Sequence, residues 1–501
     1  MFYISRVTRN KSCDIKAWRK TCTTVAAKND PEEGIYGKEK LVEPFGQPTP
    51  KTHPHLLKVG EVIPGLEMDE FAVRRQNLVN QILRTSTDSQ HMVVIPSSQR
   101  MYMTEKIPYL FRQNTDFLYF TGCLEPDSAL VITATNENNV ENSLFLRKRD
   151  KHAELWDGPR TGVERATDLF GIENPLPITS LGQFISSFFE KNKQTMLWYD
   201  FVGHFNSDVH KVIRNCLDTS TRKVWDSPKR YIHKLRVFKS PAEQKLMQQS
   251  CDIASKAICS TIAATNPGIT EAQLFAIVDY ECRMQGAEYL AYPPVVAAGN
   301  NANTIHYINN TQQTKETDMV LMDAGCEYHG YASDITRTWP VSGKFSDPQK
   351  VLYEIVLSTQ YELIKQCQNL PSLDYLFNVM CKILGQKLIE AKVSSNPENK
   401  DLAKLAYELC PHHVSHYLGM DVHDTSEIPR SIHLQPDMVI TVEPGIYVPH
   451  HNKSVHKEFR GQGLRIEDDI LITESGPIVL SSGCPKEIDD IEKLVGSRLR
   501  T

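Results

Sequence analysis

The amino-acid sequence lacks the features that would place it in a membrane, in a disulfide scaffold or on nucleic acid. Its 501 residues contain no apolar run of about 18 residues, the length that spans a bilayer. Its twelve cysteines include no C-x-x-C pair, which argues against a zinc ribbon and favours a reducing compartment. A formal net charge of -5 gives no general attraction to nucleic acid. We therefore expect a soluble protein with no membrane span and no nucleic-acid partner.

The N-terminal half also lacks a phosphate-binding glycine loop and any visible constellation of a nucleophile with its base. Its hydrophobic pattern alternates between helical and strand-like periods from about residue 60 to residue 235. The pattern predicts a helix over residues 67–85 and strands over residues 92–96, 129–133, 143–147 and 196–199. This pattern predicts an α/β module. Its residues alone do not indicate a function.

The first residues of the chain are basic and contain interspersed serines and threonines. Before Asp30 only Asp14 opposes the basic residues, which are Arg6, Arg9, Lys11, Lys16, Arg19, Lys20 and Lys28. This composition is typical of a mitochondrial transit peptide, and the alternative is a disordered tail on a cytoplasmic protein. A proline-rich connection follows, in which the prolines disfavour regular structure. We predict a targeting or disordered tail over residues 1–45.

Capping signals mark the helices of the C-terminal half. Ser240, Pro241 and Glu243 form the expected start of a helix, and Thr270 with Gln273 starts another. Further helices are predicted to open at Ser346 and to cover residues 373–391. Two helix pairs alternating with groups of strands indicate a duplicated α+β half. We therefore predict one domain over residues 46–235 and a second over residues 236–501.

Two aspartates flank a predicted β-hairpin in this second domain. Residues 319–323 and 333–336 have strand patterns around a turn at residues 327–330. A symmetric hairpin pairs Asp323 with Asp334 and places both carboxylates on one face, close enough to share a metal cluster. The alternative is a pair of solvent-facing aspartates on an exposed hairpin.

Three more potential ligands favour a metal site over an exposed hairpin. They are His416, Glu443 at the end of an apolar strand over residues 438–442, and Glu467, which alternates with core-facing residues and shares a face with Arg465. Four carboxylates and one imidazole suit hard or borderline ions such as Mn²⁺, and a metal pair can generate hydroxide at neutral pH. The ligand set predicts a metallohydrolase.

Histidines are concentrated near His416, at His412, His413 and His423. Their spacing alone is a weak metal signature, because Gly419 argues for a strand or loop here and not for a helix. His306 is a further candidate, although a lone histidine is more often a structural residue.

The combined motifs resemble aminopeptidase P, of the pita-bread metallopeptidase family. The matching features are Asp323 and Asp334, HHVSHYLGMDVHD at 412–424, EPGIY at 443–447 and RGQGLRIEDD at 460–469. In the N-terminal half, GQPTP at 46–50, THPH at 52–55 and RQNTDFLYFTG at 112–122 match as well. The resemblance covers about residues 46–490.

The resemblance implies an α+β pita-bread catalytic domain, preceded by an α/β creatinase-like N-terminal domain. It implies two Mn²⁺ ions per chain, or other divalent ions in their place, and a homodimer. Carried over by motif, Asp323 holds one metal, Asp334 and Glu467 bridge both, and His416 with Glu443 completes the second site.

The implied reaction is hydrolysis of an N-terminal Xaa-Pro bond in proline-containing peptides. Glu443 would accept and relay a proton, and His412 and His423 would position the substrate and stabilise the oxyanion. The implied catalytic residues are His306, His412, His423 and Glu443, with supporting roles for Tyr447 and Arg465.

Three alternatives to aminopeptidase P remain open at this point. Prolidase, which cleaves dipeptides, and methionine aminopeptidase resemble the same metal core, although the N-terminal motifs favour aminopeptidase P. A catalytically inactive pita-bread domain that binds peptides or proteins is the third alternative, but such domains typically lose ligands, and here the set is complete.

Overall fold

The structure is a computed structural model that describes residues 44–203, 206–220, 223–395 and 401–497. Almost all of the predicted targeting segment lies outside these residues, so that prediction stays untested. Within the described ranges, no helix is both long enough and apolar enough to cross a bilayer.

The N-terminal half is built around one mixed sheet. Its strands are β1 Glu61–Ile63, β2 Leu66–Glu67, β3 Gln90–Pro96, β4 Tyr102–Thr104, β5 Ile107–Pro108, β6 Ala129–Asn136, β7 Asn139–Leu146, β8 Asn174–Pro177, β9 Thr195–Trp198 and β10 Trp225–Asp226. Its helices are α1 Met68–Thr85, α2 Thr115–Thr121, α3 Lys151–Asp157, α4 Val163–Phe170, α5 Leu181–Lys191, α6 Ser207–Thr219 and α7 Lys229–Arg236. The main sheet has the strand order β10-β9-β3-β6-β7-β8.

Both faces of this sheet are buried, as the apolar run in β3 requires. Val93 and Ile95 pack into one hydrophobic cluster, whereas Met92 and Val94 pack into another on the opposite face. Alternate side chains of a strand point to opposite faces, so a continuous apolar run is suited to a sheet covered on both sides. The α/β prediction for this half is confirmed.

The C-terminal half alternates helix pairs with strand groups. Its helices are α8 Pro241–Ala264, α9 Glu271–Met284, α10 Asp347–Gln366, α11 Leu373–Glu390, α12 Leu402–Leu409 and α13 Ile488–Leu494. Its strands are β11 Tyr289–Leu290, β12 Val295–Ala298, β13 Met319–Ala324, β14 Cys326–Tyr328, β15 Tyr331–Ala332, β16 Ile335–Pro340, β17 Val439–Val442, β18 Gly445–Val448, β19 Gln462–Arg465, β20 Asp468–Thr473 and β21 Gly476–Val479. The antiparallel groups are β12-β13-β16, β17-β20-β21, β18-β19 and β11-β14-β15.

The predicted helix starts are formed by reciprocal hydrogen bonds. Ser240 accepts from the backbone of Glu243, whose side chain accepts in turn from the backbone N–H of Ser240. Thr270 and Gln273 form the same capping box at α9. These predictions are confirmed because a capping box depends on four consecutive residues and needs no tertiary partner.

The predicted hairpin register is wrong by two residues. Asp323 on β13 lies opposite Thr336 on β16, and not opposite Asp334. The turn falls at His329 and Gly330, which both have positive φ, and this displaces the centre of the hairpin by one residue. A shift of two positions preserves the face on which a side chain lies. Asp334, which precedes β16, is therefore a diagonal neighbour of Asp323.

A buried charge cluster joins the N-terminal half to the loop that contains His423. The Arg236 guanidinium lies 2.6 Å from Asp116, 2.9 Å from Asp421 and 2.5 Å from Asp424, measured between nitrogen and carboxylate oxygen. The Lys239 ammonium also lies 3.4 Å from Asp424. Because Arg236, Lys239 and Asp424 are almost fully buried, each charge depends on these partners for its solvation.

Candidate active site

One cavity of about 560 Å³ is lined by nearly every residue singled out from the sequence. These lining residues are His306, Asp323, Asp334, His412, His413, His416, His423, Glu443, Arg465 and Glu467. They come from the connection between β12 and β13, from β13, from the ends of β16, β17 and β19, and from the loop between α12 and β17. Side chains separated by up to 161 positions (306 to 467) in the chain therefore face one space.

Asp323 and Asp334 are held together by a residue that the sequence did not indicate. The Tyr292 hydroxyl lies 2.5 Å from Oδ1 of Asp323 and 2.6 Å from Oδ1 of Asp334. A phenol has one proton, so it can donate to only one of these carboxylates at a time. The three oxygens therefore form an electronegative cluster that favours a cation beside it.

Glu467 is oriented by Thr336, the residue opposite Asp323 on the hairpin. The Thr336 hydroxyl donates to Oε2 of Glu467 at 2.6 Å and accepts from Nε of Arg465 at 3.1 Å. The other end of the Arg465 guanidinium contacts Oδ2 of Asp323 at 2.5 Å. Arg465 and Thr336 together hold two carboxylates that belong to different hairpins.

The ring of His416 is oriented as a metal ligand requires. Its Nδ1 lies 3.1 Å from the carbonyl oxygen of Tyr417, which can only accept, so Nδ1 carries a proton and Nε2 is turned toward the carboxylates. Although burial opposes it, Asp334 and Glu443 raise the pKa of His416 to about 9, so metal binding at Nε2 would displace a proton. That Nε2 atom lies 3.4 Å from Asp334 and 3.7 Å from Glu443. One ligand atom each from Asp334, His416 and Glu467 lie within 4.8 Å of one another.

The electrostatics of the site also fit divalent cations. Burial, together with the charges of Asp334 and Glu443, raises the pKa of Glu467 well above its ordinary value. Burial likewise raises the pKa of Glu443 to about 7, against the opposing effects of His416 and Arg465. Since burial penalises four nearby carboxylates and few cationic side chains compensate them, added positive charge would stabilise their ionised forms. The donor set and its charge therefore fit a cluster of divalent metal ions.

A chain of hydrogen bonds connects His412 to Asp323. The Arg465 guanidinium donates to the Tyr447 hydroxyl at 2.7 Å, and that hydroxyl lies 2.9 Å from Nε2 of His412. Nδ1 of His412 lies 2.9 Å from the carbonyl oxygen of His413, which makes Nε2 the acceptor of the tyrosine proton. Burial and the Arg465 charge lower the pKa of His412 to about 4. His412 is therefore a neutral imidazole with a fixed orientation.

The other histidines occupy different parts of the cavity. His423 packs edge-on against His416, with ring centroids 4.5 Å apart. His306 also lines the cavity, next to Ile305. His413 stacks on Phe377 with ring centroids 5.0 Å apart, so its ring is held from one side by packing.

Sequence reasoning missed Tyr292, Thr336 and the role of Asp469. Oδ2 of Asp469 accepts a hydrogen bond from the backbone N–H of Asp334 at 2.9 Å, which fixes the backbone that carries the Asp334 carboxylate. None of these residues has a local signal, because its contact in the site is with a residue at least 31 positions away (292 to 323). Asp469 lies inside a recognised motif, but its contact depends on the packing of β20 against the hairpin.

Two family models match the chain and together cover both halves. The model described as Metallopeptidase family M24 matches residues 245–474. The model described as Aminopeptidase P, N-terminal domain, matches residues 71–198. All five predicted ligands lie in the first of these ranges.

Similar proteins are found among both curated sequences and solved structures. Xaa-Pro aminopeptidase 3 of Mus musculus is 43% identical over 460 residues, covering 90% of each chain. Mitochondrial intermediate cleaving peptidase 55 of Arabidopsis thaliana is 38% identical and covers 91% of this chain and 89% of its own length. The structure of Zn-substituted aminopeptidase P of E. coli in complex with product has a TM-score of 0.80 at 30% identity, covering 86% of this chain and 98% of that chain.

Proposed function

Because the chain belongs to metallopeptidase family M24 and to the Xaa-Pro aminopeptidases within it, we propose that it hydrolyses the bond between an N-terminal residue and a following proline. The chain is a peptidase and its substrates are peptides. One observation supports this reaction above all: the carboxylates, His416 and the neutral His412 line a single cavity. The predicted α+β fold is also the fold of its structural relatives.

The enzyme uses divalent metal ions, and we propose two Mn²⁺ ions per chain. Asp323 would hold one ion, Asp334 and Glu467 would contact both, and His416 with Glu443 would hold the second. The support is the set of hard oxygen donors with one imidazole and the orientation of the His416 ring. When bound, such ions supply Lewis acidity and lower the pKa of water in the site.

The residues of the chain position the peptide and move its protons. Glu443 faces His412 across 3.7 Å and would accept and relay the proton of the attacking water. His412 and His423 would position the peptide carbonyl and stabilise the oxyanion. For His412 this requires the Nδ1–H to exchange its bond to the carbonyl oxygen of His413 for one to the peptide, because Nε2 accepts from Tyr447. His306, which lines the same cavity, would lie beside the peptide.

Selection for proline would depend on shape more than on hydrogen bonding. A proline after the scissile bond has no amide hydrogen and a compact apolar ring. The cavity wall includes Ile305, Ile428 and Pro429, which offer apolar surface for such a ring. A residue with an amide hydrogen at this position would bury a donor without a partner.

The test is turnover of an Xaa-Pro-Xaa tripeptide by the purified chain. We expect chelation to abolish turnover and Mn²⁺ to restore it, with Mg²⁺ as the comparison ion. A tripeptide with alanine in place of proline serves as the matched substrate control. Full turnover after exhaustive chelation would contradict the metal proposal.

The length and sequence of the peptides that are cleaved distinguish the remaining alternatives. We expect cleavage of tripeptides and longer peptides, whereas cleavage of Xaa-Pro dipeptides alone would identify a prolidase. Preferential cleavage of Met-Ala peptides would identify a methionine aminopeptidase. Peptide binding without turnover at any metal concentration would identify an inactive binding module.

We also propose that the enzyme works in mitochondria as a homodimer. The basic N-terminal composition and the similarity to a mitochondrial peptidase support the location. Import of the full chain into isolated mitochondria, followed by N-terminal sequencing, tests it. Retention of the full chain outside the organelle would instead favour a cytoplasmic enzyme.

A further inference from the structure

Two pairs of cysteines in the C-terminal half have their thiols in contact. Cys259 on α8 shares a hydrogen bond with Cys484, which lies in the turn after β21, and Cys282 on α9 shares one with Cys326 on β14. We name Cys259 and Cys484 the thiol pair. Among the cysteines of the described residues, Cys259 alone is partly exposed and the others are buried. An oxidant dissolved in water can therefore reach the thiol pair, whereas the second pair is shielded from it.

The packing of a closed turn against α8 brings the thiol pair together. The Cys259 sulfur lies 3.9 Å from the carbonyl oxygen of Gly483. One helical turn earlier, a Cβ at Gly483 would lie 3.6 Å from the Cβ of Ser255. The backbone N–H of Cys484 donates to the carbonyl oxygen of Ser481 at 3.0 Å, which closes the turn. The position of Cys484 beside α8 is therefore set by the backbone.

The two thiols differ in reactivity. The hydrogen bond from Cys484 lowers the pKa of Cys259 against the opposing effect of burial, and the charge of Arg337 acts in the same direction as that bond. Burial raises the pKa of Cys484 well above its ordinary value. Peroxides react with thiolates and not with thiols, and they react fastest with partly exposed ones. Cys259 is therefore the attacking residue, and Cys484 is placed to react second.

Oxidation by hydrogen peroxide takes two steps. The Cys259 thiolate attacks one peroxide oxygen and the O–O bond breaks, which gives a sulfenic acid and hydroxide. The hydroxide takes up the proton that the Cys259 thiol released. The Cys484 sulfur then displaces the sulfenic hydroxyl group, which leaves as water with the Cys484 thiol proton. One S–S bond forms, two electrons pass to the peroxide, and two water molecules are produced.

The turn that holds Cys484 also contacts the backbone at Glu467, one of the proposed metal ligands. Nη2 of Arg337 donates to the Cys484 carbonyl oxygen at 2.7 Å, and Nη1 of Arg337 donates to the Glu467 carbonyl oxygen at 2.6 Å. The Ser481 hydroxyl donates to Oδ1 of Asp468 at 2.7 Å. All five residues are buried, so solvent does not replace an acceptor that moves away. A displacement of Cys484 is therefore passed to Glu467 through Arg337.

We propose that Cys259 and Cys484 form a reversible disulfide when the chain meets hydrogen peroxide, and that this bond lowers the affinity of the active site for divalent metal ions. A covalent S–S bond is shorter than a hydrogen-bonded contact between thiols, so its formation draws the turn toward α8. The Cys484 carbonyl is thereby displaced from Arg337, which holds the backbone of Glu467. The effect on affinity rests on the metal site proposed above, whereas the disulfide itself does not.

Peptide mass spectrometry tests the disulfide. The reduced full chain is treated with hydrogen peroxide, its remaining thiols are alkylated, and it is digested without reduction. We expect a peptide linked through Cys259 and Cys484, absent from the variant Cys259→Ser, whose fold circular dichroism checks. The pair Cys282 and Cys326 is an internal control in the same digest and should remain reduced. Oxidation of Cys259 to sulfinic acid without the linked peptide would overturn the proposal.

A competition titration of Mn²⁺ against a chromogenic chelator tests the effect on the metal site without turnover. It compares the reduced, oxidised and re-reduced chain, each after the reagent has been removed. We expect oxidation to raise the Mn²⁺ dissociation constant at least about 10-fold, reduction to restore it, and Cys259→Ser to show no change on oxidation. The matched control is Cys216→Ser on α6, whose thiol contacts the Ser186 hydroxyl at 3.4 Å. This control should respond to peroxide as the wild-type chain does.

The two measurements separate the parts of the proposal. A linked peptide with unchanged Mn²⁺ affinity overturns the coupling through Arg337. An equal loss of affinity in oxidised Cys259→Ser shows that peroxide acts at another residue and also overturns the coupling. A reduced chain that binds no Mn²⁺ overturns the metal site and the coupling together, while mass spectrometry still decides whether the disulfide forms.

Discussion

Replacing Tyr292 by phenylalanine should weaken metal binding while preserving the fold. The substitution removes one hydroxyl, which lies 2.5 Å and 2.6 Å from carboxylate oxygens of Asp323 and Asp334. The ring remains and continues to fill the same space. Without the hydroxyl, the two carboxylates lose the group that holds them side by side before an ion binds. The cost of arranging them is then subtracted from the binding free energy.

The expected magnitude follows from the number of ligands that the hydroxyl contacts. Loss of one group that orients metal ligands typically lowers metal affinity by about 10–100-fold. This range corresponds to about 1.4–2.8 kcal/mol. Because Tyr292 contacts two of the proposed ligands, we expect a loss in the upper part of the range. The assay is a competition titration of Mn²⁺ between the protein and a chromogenic chelator, which measures binding without turnover.

Tyr289→Phe is the matched control for this experiment. The Tyr289 hydroxyl donates to Glu327 at 2.8 Å, and Glu327 is not among the proposed ligands. We expect this variant to bind Mn²⁺ with wild-type affinity. A dissociation constant for Tyr292→Phe within about twofold of the wild-type value, a change of about 0.4 kcal/mol, would refute the reasoning. An equal loss in both tyrosine variants would show a general effect on the fold.

Three further predictions concern the ligands and the charge cluster. Glu467→Gln should abolish turnover because it removes a charge shared by the proposed ions. The circular dichroism spectrum and the melting temperature should stay near wild type. Turnover at the wild-type rate would show that Glu467 is not a metal ligand. Arg236→Met should lower the free energy of unfolding by about 3–5 kcal/mol in urea titrations, since it leaves the buried carboxylate of Asp424 without its main partner, and Arg236→Lys should lose less. A loss in Arg236→Met no greater than at an exposed arginine would contradict this. Although burial opposes it, Arg236 and Arg112 lower the pKa of Asp421 to about 2, below the value of about 3.9 in an unfolded chain. The ionised Asp421 therefore stabilises the fold above about pH 4, and this stabilisation is lost as the pH falls toward 2. The difference in urea midpoint between wild type and Asp421→Asn should therefore shrink below pH 4; a constant difference down to pH 3 would argue against it.

Features that depend on neighbouring residues were predictable from the sequence. The helix start at Ser240 and the one at Thr270 were predicted because a capping box is complete within four residues. The apolar run of β3 identified a buried strand for the same reason. The order of ligand motifs along the chain was likewise sufficient to identify the family, before any distance between them was known.

The hairpin shows where local reasoning reached its limit. The sequence placed Asp323 and Asp334 on one face, and they do lie together, but their predicted pairing was wrong. A two-residue turn with positive φ at His329 and Gly330 sets the register, and the pattern around it is equally compatible with a turn centred one residue earlier. The prediction that both aspartates lie on one face is nonetheless correct, because a register error of two residues leaves each side chain on the same face of the strand.

The amino-acid sequence alone determined the capped helix starts, the buried strand β3 and the family, because each depends on side chains a few positions apart or on motifs read in order. Tertiary structure alone decided that Tyr292 joins two aspartates, that Thr336 orients Glu467 and that Arg236 connects the N-terminal half to the loop of His423. The reason is physical. A hydroxyl or guanidinium has no preferred partner until folding places an acceptor within about 3 Å of it, and that distance depends on the packing of elements far apart in the chain.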